Sequence, residues 1–163
     1  MRRYILPISL ALLLAASIAA TGQGAKKGPL SFQVSLVQEA TVRHSHPPSG
    51  DAGDTFSTVL KLNAIGNVLG FPNGTPMGSM AFTWGPLNGA CSSNAASCSG
   101  TTNILTTTKL PGGTITANGI NVSLSHGIIL PVQSGTGIFK GVKGTVLVAP
   151  GGDRVDIFKL VMP

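Results

Sequence analysis

The fold of this chain is decided by residues 130–146, whose sequence is LPVQSGTGIFKGVKGTV. The stretch begins and ends with residues that favour β-strands, and four glycines punctuate its middle. Glycine permits positive φ angles and lets neighbouring backbone approach closely, and the tight corners of a small β-barrel require both properties. The stretch therefore predicts a strand, a glycine-rich crossing and a second strand.

Short alternating segments rich in Val, Ile, Thr and Phe fill the rest of the chain, and Gly, Pro and Asn separate them. Strands are predicted at residues 30–36, 56–62, 68–71, 77–84, 102–110, 114–117, 120–124, 128–132, 145–149 and 155–162. Hairpin turns are predicted at Pro111-Gly112-Gly113 and Asn118-Gly119, and a loop from His44 to Asp54. Helical periodicity is absent after residue 25. An antiparallel sandwich and a barrel both fit this all-β pattern.

Residues 1–25 have the pattern of a secretory signal peptide. Arg2 and Arg3 give a positive start, residues 5–16 form an apolar core, and small residues follow, which places cleavage near residues 19–25. The alternative is a retained membrane anchor, but the apolar run is shorter than the roughly 20 residues that span a bilayer. We expect a secreted or periplasmic protein with one domain at residues 26–163.

The cations of the mature chain are spread singly along the sequence, apart from the adjacent Lys26 and Lys27. Nucleic-acid-binding proteins concentrate their cations on one face among aromatic residues. We therefore expect no nucleic-acid partner and, once the leader is removed, no membrane partner.

The chain has two cysteines, Cys91 and Cys98, and in an exported protein such a pair is most often a disulfide. A zinc site would need further Cys or His ligands nearby. A catalytic thiol would need a base, and no histidine is adjacent in sequence. We predict the disulfide.

Residues 134–144, SGTGIFKGVKG, resemble the motif GGTG-aromatic-x-x-ARG that plant dirigent proteins share with allene oxide cyclase-like barrels. Three further motifs follow the order of the bacterial allene oxide cyclase-like branch: residues 53–56, 110–116 and 152–155. The resemblance covers about residues 51–162. It implies a single eight-stranded antiparallel β-barrel around an apolar cavity. Members commonly associate through their outer walls, so a homotrimer or homodimer is expected.

Dirigent proteins steer the coupling or cyclisation of phenolic intermediates, and allene oxide cyclases close a fatty-acid-derived epoxide ring. The resemblance thus implies a small apolar or phenolic ligand and a cyclase-like, isomerase-like or dirigent-like activity without a cofactor. Tyr4 is the one tyrosine and departs with the leader, so the phenolic acid–base role proposed for dirigents has no counterpart here. No catalytic residue transfers by motif. The alternative is a non-catalytic secreted barrel with a structural or interaction role.

Four charged residues are candidates for chemistry: Glu39, Asp54, Arg154 and Asp156. A carboxylate facing an apolar lumen has a raised pKa and can act as an acid, whereas one at a solvated strand end cannot. For Glu39 and Asp54 the solvated strand end is favoured. Arg154 and Asp156 share strand parity with Phe158, and they either orient a ligand at the barrel mouth or cap the strand at its rim.

Phe82, Trp84 and Phe158 are candidate ligand contacts, with ordinary core packing as the alternative. His44 and His46 could hold Cu²⁺ or Zn²⁺ through alternate imidazoles. Because they lie in a polar loop, we expect no metal site.

Overall fold

The structure of the protein, a computed structural model, describes residues 27–38, 43–44, 54–91, 98–121, 127–149 and 155–163. The strands are β1 (Gly28–Gln38), β2 (Arg43–His44), β3 (Phe56–Ile65), β4 (Pro76–Pro86), β5 (Thr102–Leu110), β6 (Gly113–Asn121), β7 (Ile128–Gly135), β8 (Lys143–Val148) and β9 (Val155–Met162). In the described part of the chain, one short 3₁₀ turn at Gly137–Phe139 accompanies them. No helix among these residues is long and apolar enough to cross a membrane.

The sheet closes on itself. Its strand order is β1-β9-β8-β7-β6-β5-β4-β3-β2, and β1 also pairs with β3. Every one of these pairings is antiparallel. The two-residue β2 pairs with β3 beyond the end of β1, through Arg43 with Ser57 and His44 with Phe56. The ring therefore has eight strands, which confirms the predicted barrel and excludes the sandwich.

The stretch that decides the fold has the predicted form of strand, crossing and strand. Gly137 adopts a φ of 59°, and its 3₁₀ turn lies against the β5–β6 hairpin, where the Ile138 N–H donates to the Gly112 carbonyl oxygen at 3.0 Å. Phe139 and Val142 are buried beneath this crossing. The crossing therefore closes one end of the barrel, which we call the turn end.

Two local predictions were wrong. Asn118-Gly119 lies within β6, because Asn118 pairs with Leu105 and Gly119 pairs with Ile104. Gly119 leaves room for a neighbour, since a Cβ there would lie 2.9 Å from a methyl carbon of Leu130. A glycine inside a strand often marks such a close approach, which a turn-based interpretation overlooks.

The second wrong prediction concerns residues 68–71. Val68 and Phe71 form a single bridge across a tight turn and not a strand. Val68 is nevertheless buried, so its apolar character reflects burial at the turn end and not membership of the sheet.

The predicted alternation is confirmed as the origin of the core. Every second residue is buried on β5 from Thr102 to Leu110 and on β9 from Asp156 to Met162. Register shifts lie between Leu62 and Asn63 on β3 and between Thr116 and Ala117 on β6. Such irregularities add local bend and twist, which a closed sheet needs.

Candidate functional site

A carboxyl group lies inside the barrel. Asp156 occupies the second position of β9 and is fully buried, directly opposite Val34 of β1. It shares the inner face of β9 with Phe158, Leu160 and Met162, which are also buried. Asp156 therefore does not cap the strand at a solvated rim, which was the competing interpretation.

The two oxygens of Asp156 have different surroundings. The Ala149 N–H donates to Oδ1 at 3.3 Å, whereas Oδ2 has no hydrogen-bond partner among the described residues. Burial raises the pKa of Asp156 to about 7, and the hydrogen bond from Ala149 opposes part of that rise. Both protonation states are therefore populated near neutral pH, as a group that donates and accepts protons requires.

A second unpartnered polar atom lies on the facing wall. In the ring of eight strands β5 is four places from β9 and thus opposite to it. Thr108 on the inner face of β5 is fully buried, and its Oγ1 has no hydrogen-bond partner among the described residues. Neighbouring Thr106 differs, because its hydroxyl donates to the Ala117 carbonyl oxygen at 3.4 Å.

Buried polar groups without partners are uncommon, because each forfeits its interaction with water. Here two of them occupy opposite inner walls of one barrel. A guest molecule with polar atoms at suitable positions would satisfy both.

Aromatic rings line other parts of the inner wall. Phe56 and Trp84 stack with ring centroids 5.6 Å apart, and Phe82 lies tilted against Trp84 at 5.4 Å. On the other side, Phe32 and Phe158 stack at 4.7 Å with planes 8° apart. Flat, apolar walls of this kind suit a flat or conjugated guest.

The end of the barrel opposite the turn end carries the cysteine pair, and we call it the disulfide end. Cys91 and Cys98 form the predicted disulfide, with Cα atoms 4.1 Å apart. The Cys91 sulfur lies 4.0 Å from the hydroxyl oxygen of Thr102, which is buried at the first position of β5. The disulfide thus anchors the β4–β5 connection to the inner wall.

The structure brings together the three aromatic residues singled out from the sequence. Phe82, Trp84 and Phe158 are all buried on the inner face. Asp54, just before β3, is also buried, so its favoured interpretation as a solvated strand end was wrong. Its backbone packs closely against β4, because a Cβ on Gly85 would clash with the Asp54 carbonyl oxygen.

Glu39, Arg154 and His46 lie outside the described residues. His44 is placed only through its backbone pairing with Phe56. Where side chains are described, no three His, Cys, Asp or Glu residues come together as a metal site would require.

Thr108 was not identified as a candidate residue from the sequence. The signal was present, since Thr102, Ile104, Thr106, Thr108 and Leu110 occupy alternate positions of one strand. Threonine has a high β-propensity on either face, so the alternation did not single out an unpartnered hydroxyl.

No protein-family model matches the sequence, and comparison with curated proteins gives no significant match. Several solved structures share the fold. Pyocyanin demethylase matches with a TM-score of 0.63 at 18% identity, over 81% of this chain and 100% of that one. The Diels-Alderase AbmU from Streptomyces koyangensis matches with 0.58 at 15% identity, over 89% and 72%. The pterocarpan synthase dirigent protein GePTS1 matches with 0.54 at 16% identity, over 93% and 99%.

Proposed function

We propose that this chain, which has the barrel fold of the dirigent and allene oxide cyclase-like superfamily, binds a small apolar or phenolic molecule inside the barrel and directs its cyclisation or coupling. The observation that carries the proposal is Asp156, a buried carboxyl group with one unpartnered oxygen and a pKa raised to about 7. A carboxyl group kept partly neutral in an apolar site can donate a proton to a guest oxygen.

Confinement of the guest would favour the reaction in addition to proton transfer. Stacked pairs of rings on two parts of the inner wall, Phe56 with Trp84 and Phe32 with Phe158, would hold a conjugated guest in one folded conformation. Cyclisation needs no electron or hydride from the protein, and coupling would start from phenoxyl radicals that a separate oxidase has formed, so the barrel itself requires no cofactor. Asp156 would donate its proton to the guest where negative charge develops, and the ionised carboxylate would then take a proton back.

The fold neighbours support this class of function. Among them are a Diels-Alderase and a pterocarpan synthase dirigent protein. The barrel of this chain provides the same architecture, and Asp156 provides a polar group within it. We further propose that the protein is exported to the periplasm or the cell exterior, where its disulfide would be stable.

Trp84 gives a direct test, because it is the only tryptophan of the chain and lies inside the barrel. Phenolic, polyene and fused-aromatic compounds are titrated while Trp84 fluorescence and thermal stability are followed. We expect a saturable fluorescence change and a higher melting temperature for at least one class. Guests with a hydrogen-bond-accepting oxygen should bind more weakly as pH rises through about 7, since Asp156 then loses its proton.

Asp156→Asn is the decisive variant, because the amide stays neutral and its affinity should not change with pH. Ile129→Ala, on the outer wall, is the matched control and should bind as the native protein does. The proposal fails if no compound gives a saturable change, or if the Asn variant keeps the native pH profile.

A non-catalytic barrel that acts through its outer surface is the second candidate. It is favoured by the exposed apolar side chains of Ile120, Ile129 and Val161. Association into a homotrimer or homodimer would be one form of this role, and sedimentation velocity would detect it. An outer-surface role predicts no guest-dependent change at Trp84.

A further inference from the structure

The outer wall formed by β6, β7, β8 and β9 carries unusually exposed apolar side chains. Ile129 is 68% exposed, Ile120 is 66% exposed and Val161 is 55% exposed, the highest values among the large apolar residues described. Ile129 pairs with Leu147, and Leu147 pairs with Ile157. Directly paired residues lie about 5 Å apart, so these side chains form a continuous apolar row across three strands.

Lysines flank this row on the side of the turn end. Lys143 pairs directly with Val161, and Lys159 pairs with Thr145 on the same two strands. Lys140 follows the 3₁₀ turn that leads into β8, and all three lysines are exposed. Among the described residues of β6 to β9 the one acidic side chain is Asp156, which faces inward. This outer wall is therefore both apolar and positively charged.

The charge decides between the possible occupants. A second copy meeting this wall with both turn ends on one side would bring the same lysines together, and like charges across an interface are unfavourable. A second copy in the reverse orientation would offer these lysines no acidic partner from the described residues of its own β6 to β9, because Asp156 faces inward. A nucleic acid would use exposed aromatic rings for stacking, and none of the described aromatic side chains is exposed. An anionic lipid surface matches both properties, because apolar side chains enter the headgroup region while lysines contact phosphates.

We propose that the outer wall of β6 to β9 docks on anionic membrane surfaces, with Ile120, Ile129 and Val161 at the lipid and Lys140, Lys143 and Lys159 at the headgroups. This differs from the sequence expectation of no membrane partner. Lys159 is far in sequence from Lys140 and Lys143, and only the pairing of β8 with β9 brings it onto the same wall. Such binding is peripheral and independent of the proposed guest in the lumen.

Vesicle flotation tests the proposal. The native protein is mixed with vesicles of equal parts phosphatidylcholine and phosphatidylglycerol, or of phosphatidylcholine alone, at low and high salt. We expect binding to the anionic vesicles only, weakened by salt. The double variant Lys143→Glu, Lys159→Glu should bind about tenfold or more weakly, since each lysine near the surface contributes to the attraction. Ile129→Ser should also weaken binding.

The matched control is Lys61→Glu, Lys109→Glu, which changes the net charge equally but alters β3 and β5, away from this wall. It should retain most of the binding. Equal loss in both double variants would show attraction by net charge alone and overturn the proposal. Equal binding to soluble polyphosphate, with no effect of Ile129→Ser, would show that the wall binds a soluble polyanion and not a membrane. Self-association abolished by Ile129→Ser would assign the wall to a second copy, and absence of vesicle binding would refute docking.

Discussion

At the scale of single residues, Asp156 dominates the chemistry of the interior. Its carboxyl group is fully buried, accepts one hydrogen bond from Ala149 at Oδ1 and leaves Oδ2 without a partner among the described residues. Desolvation favours the neutral acid, because an ionised group loses more hydration energy on burial than a neutral one. The same property that suits Asp156 for proton transfer therefore links the stability of the barrel to pH.

The sign of that link follows from the raised pKa. Between about 3.8 and about 7 the folded protein holds a proton that the unfolded chain has released, so the free energy of unfolding falls as pH rises. Above pH 7 the free energy of unfolding is lower than at acidic pH by an amount on the order of 4 kcal/mol. In Asp156→Asn this step should be absent, and the variant should melt at a higher temperature than the native protein in mildly alkaline buffer.

Thermal unfolding of both proteins across this pH range checks the prediction. Near pH 4 the two should be similarly stable, because Asp156 is then neutral in the folded state. An unchanged pH dependence in the variant would show that another group controls it.

Thr108 and Thr106 offer a matched pair on one strand. Thr108→Val removes a buried hydroxyl without a described partner and should raise the free energy of unfolding by about 1 kcal/mol. Thr106→Val removes a hydroxyl that donates to Ala117 and should lower it by about 1 kcal/mol. Denaturant unfolding measures both. Equal destabilisation by the two substitutions would mean that Thr108 has a partner in solution.

At the scale of elements, the crossing between β7 and β8 shapes the turn end. Gly137 has a positive φ, and a Cβ there would clash with the Gly112 carbonyl oxygen of the β5–β6 hairpin. The crossing thus fixes how the β7–β8 and β5–β6 connections fit together. This explains why a glycine-rich stretch decides the fold.

Gly137→Ala should therefore destabilise the protein by at least about 3 kcal/mol, because it combines an unfavourable φ with a clash against backbone. Gly66→Ala is the control, since Gly66 has a φ of 78° but nothing within 4 Å of an added Cβ. It should cost about 1 kcal/mol. Thermal unfolding separates the two, and comparable costs would contradict the role given to the crossing.

At the scale of the whole molecule, the pairing of β1 with β3 joins the two ends of the sheet. Val34 pairs with Asp156 of β9 on one side and with Ala64 of β3 on the other. Because both β1 and β3 have neighbours on each side, the ring of described strands leaves no long strand edge available for pairing with other chains. The barrel should unfold as one unit, since no strand can detach without opening the ring.

Leu62→Ala tests this cooperativity. Leu62 is fully buried on β3 and pairs with Leu36 of β1, where the sheet closes. We expect the free energy of unfolding to fall by about 3 kcal/mol, because the smaller side chain leaves a cavity in the core. A single unfolding transition should be retained, because the strands around that cavity are weakened together. Leu105→Ala, at a position 36% exposed on β5, should cost less than about 1 kcal/mol. Two separate transitions in calorimetry of Leu62→Ala would show that the barrel is not one folding unit.

The candidate site was predictable only in part. Strand parity placed Phe82, Trp84 and Phe158 on faces that the structure shows to be internal. Asp156 and Phe158 are two residues apart, so they were expected on the same face of their strand. The sequence left open whether Asp156 points into the lumen or lies at the solvated rim. Asp54 was expected at a solvated strand end and is buried, because its burial depends on β4 packing against it and not on its own neighbours in sequence.

The sequence by itself determined the local features: strands with a period of two, the Pro111-Gly112 turn, the glycine-rich crossing and the disulfide. These depend on backbone preferences and on short sequence separations, so residue types suffice to predict them. Only the tertiary structure decided the closure of β1 on β3, the desolvation of Asp156 and the gathering of lysines on one outer wall. Each of these depends on which distant strands become neighbours, and burial and electric field are properties of that arrangement as a whole.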